Sequence, residues 1–462
     1  MVLLITPNSK LDNYALTADE FSAVQPNIYM HILESVYNHV KKIPCTSIHM
    51  EADKMTNEDV IRWISRLKPE KVGVICSGSN PSASTMTMVG AIDLCKAIKK
   101  ALPKQHVFIW GGHPTVMPQR TKDETGVDEV IVGDDFGVPA SEIPIINWEA
   151  IDPQKYRAHN WHCFGHLRDR TPYAVIWTSL GCPYQCEFCC INNVFEKRVY
   201  KLRNMKDVLT EIDYLVSKHH IKHLKIMDEL FVTKSPRIEE FCDAMIERNY
   251  GLNMWAFART DTVTPHLLEK LKKSGINWLA YGFESVNQES VTNQRKGSKV
   301  SDYEKVIKWT RDAGISIIAD FIAGFWEDNY ASLGRTYDFM CHHNFEFINL
   351  YPLFAYPGTP LYDRYLKSGI IETPQDWSEY SLYGYNCKPC PTKYLRREEV
   401  LNWRDTKYVH YYNRPEYLKM IKDKFGKETR SHIYQMAQKK LRRGICEQPP
   451  TTSSKEVVMA RT

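Results

Sequence analysis

The sequence predicts an α/β chain: a doubly wound parallel sheet over residues 1–140, a barrel or partial barrel of parallel strands over 171–375, and a helical region over 376–446. Short β-rich runs alternate with amphipathic stretches through the first part, and that alternation makes parallel sheets. Six further strand–helix units of similar length follow residue 170. The clusters of glycines, cysteines and acids come just after these strands, at the end of a parallel sheet where sites form.

In the first part, strands are expected at 2–6, 46–50, 71–77, 106–110 and 129–132. Between the third and fourth, Met88, Ile92, Cys95, Ile98 and Leu102 recur at spacings of three and four, one face of a helix. Thr56 followed by Asp59 reads as a capping box ahead of Ile61 and Ile64. From 141 to 170 the pattern lapses around Pro144 and Pro153, as in a linker or an irregular covering segment. The second series places strands at 173–178, 223–227, 253–258, 278–283, 315–322 and 345–351. Helices are expected near 205–218, 235–248, 264–274, 301–313 and 330–343. Past Pro357 the text turns Tyr-rich and irregular, then helical and basic from about Arg396 to Arg443; residues 447–462 are expected to be disordered.

Composition narrows the class. With 462 residues, 43% hydrophobic, the chain can build real cores. A net charge of +5 implies neither a nucleic-acid-coating protein nor an acidic solvating one. No run approaches the ~18 apolar residues of a membrane span, and MVLLITPNSK has no basic region ahead of its apolar stretch. A soluble, cytoplasmic protein is expected. Its 13 cysteines are too sparse for a disulfide scaffold. Four of them, Cys182, Cys186, Cys189 and Cys190, cluster, which points to metal chemistry.

The cluster reads Gly181-Cys182-Pro183-Tyr184-Gln185-Cys186-Glu187-Phe188-Cys189, just after the first strand of the second series. Three thiolates on one loop can hold three irons of a 4Fe–4S cube and leave the fourth iron open. A structural zinc knuckle or ordinary buried cysteines are the alternatives. Zinc wants a fourth ligand, and the adjacent Cys190 points elsewhere. Later strand ends carry Asp228-Glu229-Leu230-Phe231, Arg259-Thr260-Asp261, Gly282-Phe283-Glu284-Ser285 and Phe321-Ile322-Ala323-Gly324-Phe325-Trp326-Glu327. Tyr356-Pro357-Gly358-Thr359-Pro360 follows the last.

A C-x-x-x-C-x-x-C run with an aromatic before the third cysteine resembles the radical S-adenosylmethionine (SAM) superfamily, and the ordered series after it resembles the cobalamin-binding subgroup over about residues 1–375. The resemblance implies a Rossmann-like cobalamin-binding domain, a radical SAM partial barrel and a helical C-terminal region. By it, Cys182, Cys186 and Cys189 ligate the cluster, and Phe188 joins the SAM pocket. Asp228 and Glu229 accept from the SAM ammonium, and Arg259, Gly282 and Glu284 stand where ribose and carboxylate are met. Backbone near Ile322 and Gly324 meets the adenine. Plainer readings remain: Asp228–Glu229 as a helix N-cap, Arg259 and Glu284 as a structural ion pair.

The first domain ends its third strand with Cys76-Ser77-Gly78-Ser79, its fourth with Gly111-Gly112-His113-Pro114-Thr115 and its fifth with Gly133-Asp134-Asp135. Glycines and hydroxyls there are where nucleotide-like ligands dock. By the resemblance, Ser77, Gly78, Ser79, Gly111, Gly112, His113, Thr115 and Gly133 bind cobalamin. The Asp-x-His-x-x-Gly loop that supplies a lower histidine to cobalt elsewhere is absent, so cobalamin is expected without that ligand. The fifth-strand motif departs from the subgroup's pattern, and a domain that keeps the fold without cobalamin is the alternative.

Two lesser signals remain. Cys387 and Cys390 could form a second metal or redox site, but a solvent-exposed loop is the expectation. The basic face with Arg396, Arg397, Lys419, Lys422, Lys439, Lys440, Arg442 and Arg443 carries interleaved acids and reads as solvated. Tyr411 and Tyr412 read as packing.

The resemblance implies methylation of an unactivated carbon of a small-molecule or peptide substrate. A 5′-deoxyadenosyl radical removes hydrogen and methylcobalamin delivers the methyl group. An external electron donor of flavodoxin or ferredoxin type is implied; a membrane or nucleic-acid partner is not. An oxidative cyclase or rearrangement enzyme on the same scaffold is the nearest rival, and a cobalamin or iron–sulfur sensor the non-enzymatic one. A methylthiotransferase is disfavoured for want of a second N-terminal cysteine trio.

Overall fold

The computed structural model describes residues 1–9, 22–78, 83–134 and 136–447. In the first unit, β1 (Val2–Thr6), β2 (Cys45–His49), β3 (Lys71–Ile75), β4 (His106–Trp110) and β5 (Glu129–Ile131) form a parallel sheet of order β2-β1-β3-β4-β5. Runs such as VLLIT and HVFIW are apolar on both faces because both faces are covered. Alternate residues of one strand enter different cores. Leu3 and Ile5 join Val72, Val74 and Ile109 under α2 (Asn57–Leu67) and α3 (Ala83–Ala101). Val2 and Leu4 join Ile75 and Trp110 under α1 (Ile28–His39), a helix not expected from the sequence. The Thr56–Asp59 capping box opens α2 as expected. The short helices α4 (Gly112–Val116) and α5 (Pro118–Thr125) follow β4.

The second sheet runs β13-β12-β11-β10-β9-β6 in space, all parallel. Its strands are β6 (Ala174–Ile176), β9 (His223–Ile226), β10 (Asn253–Ala258), β11 (Ile276–Glu284), β12 (Ser316–Ala323) and β13 (Phe347–Pro352). Helices α6 (Met205–His219), α7 (Pro236–Arg248), α8 (Pro265–Lys273), α9 (Gln288–Asn293), α10 (Tyr303–Asp312) and α11 (Tyr330–His343) connect them. Sequential order with no pairing of β13 to β6 is the partial barrel. The strand expected at 173–178 stops at Ile176. Ser179–Leu180 (β7) turns away to pair antiparallel with Lys201–Leu202 (β8), and this hairpin carries the cysteine loop.

Of the two readings of 141–170, a linker or an irregular covering segment, the structure shows the second: the segment is a stopper for the barrel. Trp161 meets Trp255 edge-on with ring centroids 5.0 Å apart, and Phe164 meets Trp278 and Phe347. One hydrophobic core therefore runs from Leu4 and Trp110 through Trp148 and Trp161 into the barrel wall. The gap edge of β13 is closed by α13 (Arg397–Asn413) and α14 (Pro415–Ala437), after α12 (Pro360–Lys367). Tyr412 accepts from the Ile348 amide at 3.0 Å and donates to its carbonyl at 2.7 Å, and Arg404 donates to the Leu350 carbonyl. These side chains satisfy backbone groups that an open edge leaves bare, so Tyr411 and Tyr412 do more than pack.

Three smaller expectations change. Cys387 and Cys390 are buried, the Cys390 amide donating to the Leu353 carbonyl, so theirs is not an exposed loop. Arg443, read as solvated, is buried against Asp405 at 2.8 Å. Glu447, assigned to the tail, is held by Arg442 at 2.8 Å; residues 448–462 lie outside the described residues.

Candidate active site

Strand register arranges the barrel's inward side chains in levels. Phe257, Ala280, Ile318 and Phe347 pair across four strands; above them stand Gly282, Asp320 and Asn349, and then Ile322 and Tyr351. All of these line one cavity of about 1120 Å³, with Lys225 and Trp255 paired at its lower end. Its rim is the cysteine loop: Cys182, Cys186, Phe188 and Cys189 all face it.

The three thiols feel one another. Burial pushes Cys182 up to about 11, a neighbouring Cys186 thiolate adding to the rise while Arg259 counters it. Burial also pushes Cys189 well up, with Cys190, Cys186 and Cys182 adding. Thiols that repel one another's ionised forms in a desolvated rim need a bound cation to be held as thiolates. The zinc alternative asks for donors converging on one ion, and among the described residues no three His, Cys, Asp or Glu are so grouped. Three thiols of one loop on a shared cavity rim are the donor chemistry that a 4Fe–4S cube takes. Cys190 also lines the cavity but is the most buried of the four, and burial pushes its thiol up to about 12.

Glu229 faces the cavity. It accepts from the Gly181 amide at 2.9 Å and from the Tyr29 hydroxyl at 2.5 Å, and burial raises it to about 7. Asp228 requires a correction. It does not line the cavity: its oxygens accept from the Thr178 amide at 2.6 Å, the Thr178 hydroxyl at 2.5 Å and the Ser179 hydroxyl at 2.6 Å. It fastens the end of β9 to the β6–β7 turn, because successive residues at a strand end face opposite ways.

Arg259 and Glu284 both face the cavity but do not pair with each other. Arg259 is held by Asp261 at 2.8 Å, lies over the Tyr184 ring at 3.6 Å, and approaches the Cys186 sulfur at 3.9 Å. A register shift between Gly282 and Glu284, with Glu284 at φ +65°, aims that carboxylate inward to the buried Lys296, 2.6 Å away. A side chain at Gly282 would crowd the Lys296 ammonium, within 2.8 Å of a Cβ. Ile322 lines the cavity; Gly324 does not. Its φ of +103° and Val400, 2.9 Å from where a Cβ would stand, show what excludes a side chain there. Sequence reasoning passed over Lys225, Lys296, Asp320 and Tyr29. Period-two alternation through Glu229 and Ile322 could have found Lys225 and Asp320; Lys296 and Tyr29 arrive from remote segments.

In the first unit, none of the described residues expected to bind cobalamin lines this cavity. Ser77 bonds Asn27 through its hydroxyl at 3.1 Å, and Gly78 closes on Ala83. Gly111 leaves room for the Cys76 carbonyl, and a Cβ at Gly112 would touch Ser84 and, at 3.8 Å, Asn193 of the cysteine loop. Thr115 donates to the Gly111 carbonyl at 2.8 Å and accepts from the Gly133 amide at 3.2 Å. His113 is buried edge-on to Trp377 at 4.2 Å, and burial lowers it to about 3. Ser79 and Asp135 lie outside the described residues.

Residues 178–340 match the radical SAM superfamily. An uncharacterised methyltransferase of Pyrococcus horikoshii is 22% identical over 81% of this chain and 85% of its own length. The anaerobic magnesium-protoporphyrin IX monomethyl ester cyclase of Rubrivivax gelatinosus is 24% identical over 82% of this chain and 73% of its own. Among solved structures, the radical SAM methyltransferase TsrM of Kitasatospora setae, with cobalamin and a [4Fe-4S] cluster bound, superposes at TM-score 0.62 and 14% identity, covering 81% of this chain and 76% of that one. The cobalamin-dependent SAM radical enzyme OxsB, with aqua-cobalamin and SAM bound, does so at 0.63 and 13%, covering 94% and 72%. Such likeness shows a shared fold.

Proposed function

Because this chain carries a radical SAM domain set in the fold of cobalamin-dependent radical SAM enzymes, we propose that it methylates an unactivated carbon of a small-molecule or peptide substrate. The observation that carries the reading is one cavity whose rim holds three thiols and whose wall holds Glu229, Arg259, Gly282 with Glu284, and Ile322, from or just past the four neighbouring strands β9, β10, β11 and β12. When bound, the cluster and SAM supply a hydrogen-abstracting 5′-deoxyadenosyl radical, and methylcobalamin supplies the methyl group.

The chain's own residues bind and orient. Cys182, Cys186 and Cys189 would ligate the cluster. Glu229 would accept from the SAM ammonium, and the Glu284–Lys296 pair would present charge beside the Cys186 end. Phe257, Ile318 and Phe347 keep the reacting region apolar and exclude water. Cobalamin enters on the fold alone: the described residues expected to hold it lie outside this cavity. A flavodoxin- or ferredoxin-type donor would deliver the electron.

The test is anaerobic, cluster-reconstituted full-length enzyme given cobalamin, reductant, methyl-labelled SAM and candidate acceptors. Methylation leaves label on a product carbon, with 5′-deoxyadenosine and S-adenosylhomocysteine in comparable amounts. Unlabelled product with deoxyadenosine as the sole SAM fragment supports the oxidative cyclase reading, which the similarity to the Rubrivivax cyclase puts beside the first.

A further inference from the structure

Tyr29 belongs to α1 in the first unit, yet its hydroxyl donates to Glu229 in the barrel wall at 2.5 Å, across 200 positions of sequence. The other Glu229 oxygen accepts from Gly181, the residue before the first rim cysteine. One cavity carboxylate is therefore gripped from both units. Tyr29 cannot turn away cheaply. Its ring lies 5.7 Å from Trp110, whose indole donates to the Gly133 carbonyl at 2.8 Å. Asn27, which caps α1, bonds Thr6 at 3.1 Å and the Ser77 carbonyl at 2.9 Å. Burial, with the Glu229 charge added, keeps the phenol protonated and so a donor.

A carboxylate in an apolar wall loses the hydration that would hold it charged and aimed. A fixed donor on one oxygen replaces part of that hydration and leaves the carboxylate's remaining lone pairs directed at the cavity. We propose that Tyr29 is a positioning residue for SAM: it holds Glu229 toward the ammonium of the methionyl part, so that SAM binding in the barrel depends on a hydroxyl supplied by the first unit. This rests on the reading of the cavity as the SAM site.

The experiment uses anaerobically reconstituted full-length enzyme. Cluster content is read from iron and sulfide, the SAM response from the electron paramagnetic resonance spectrum of the reduced cluster, and the affinity of each ligand from isothermal titration calorimetry. Tyr29→Phe removes one hydroxyl and should leave the chain folded with its iron content unchanged while weakening SAM about tenfold, the scale of one hydrogen bond to a charged group. Affinity for 5′-methylthioadenosine, which lacks the ammonium, should not move. Glu229→Gln should weaken SAM as well, and adding Tyr29→Phe to it should cost little more, since both act through one contact. A Tyr29→Phe enzyme that binds SAM as the parent does, or weakens both ligands alike, or loses iron, overturns the proposal. A parent enzyme that holds a cluster but shows no SAM response overturns the reading of the cavity itself.

Discussion

Arg203 and Glu211 form an ion pair with neither side chain exposed to solvent at all, at the base of the hairpin that carries the cysteine loop. Arg203 lies 4.7 Å over the Trp177 ring, and its amide donates to the Thr178 carbonyl at 2.9 Å. The second Glu211 oxygen accepts from the Trp148 indole at 2.6 Å. One buried pair thus ties the hairpin, α6, the end of β6 and the stopper segment together.

Glu211→Ala should therefore destabilise the chain by about 3–5 kcal/mol, because it strands a guanidinium in the core. Glu211→Gln, which still accepts from Trp148, should cost less. Urea unfolding measures both. A Glu211→Ala chain as stable as the parent would show that the pair is not sealed.

Cys182→Ala, Cys186→Ala and Cys189→Ala should each lose the cluster and reductive SAM cleavage, since each removes one thiolate from the rim. Cys190→Ala should keep both, because that residue falls outside the three-cysteine spacing and is the most buried of the four. Iron, sulfide and deoxyadenosine assays decide. Iron retained at the parent level by the triple alanine variant would end the assignment.

Gly324→Ala should destabilise by about 1–3 kcal/mol, from strain at a positive φ and from contact with Val400. Adding Val400→Ala should relieve the contact but not the strain. The pair should then sit closer to the parent than the sum of the two single changes predicts. Strict additivity in thermal melts would refute this account of why glycine stands there.

Asp320 lines the cavity with one oxygen held by Asn349 at 2.8 Å, and burial raises its carboxyl to about 7. A folded-state value above the unfolded one means that stability is lost as pH climbs from about 4 to about 7 and stays low above. Asp320→Asn removes the titration. Its stability relative to the parent should rise across that window, by on the order of 4 kcal/mol at pH 8. Urea unfolding from pH 4.5 to 8 checks the slope; a constant difference would contradict the burial of this carboxylate.

Much of the site was legible along the chain because its chemistry is local. Three cysteines within eight residues make their own loop, and Glu229, Gly282, Glu284 and Ile322 announce themselves by following apolar runs. Alternation also carried more than was drawn from it: neighbours at a strand end face opposite ways, so Asp228 and Glu229 could not both meet one ligand. Tertiary structure alone decided the rest. Tyr29 reaches Glu229, Lys296 reaches Glu284, and Val400 excludes a side chain at Gly324, contacts made by segments that local spacing does not relate. The same holds for residues 141–170, whose prolines and polar composition left a linker and an irregular cover equally open until the barrel offered Trp161 and Phe164 an apolar mouth to fill. A linear pattern records which way each side chain leaves its own element. Which partner stands opposite is settled only when burial of apolar surface packs the elements together.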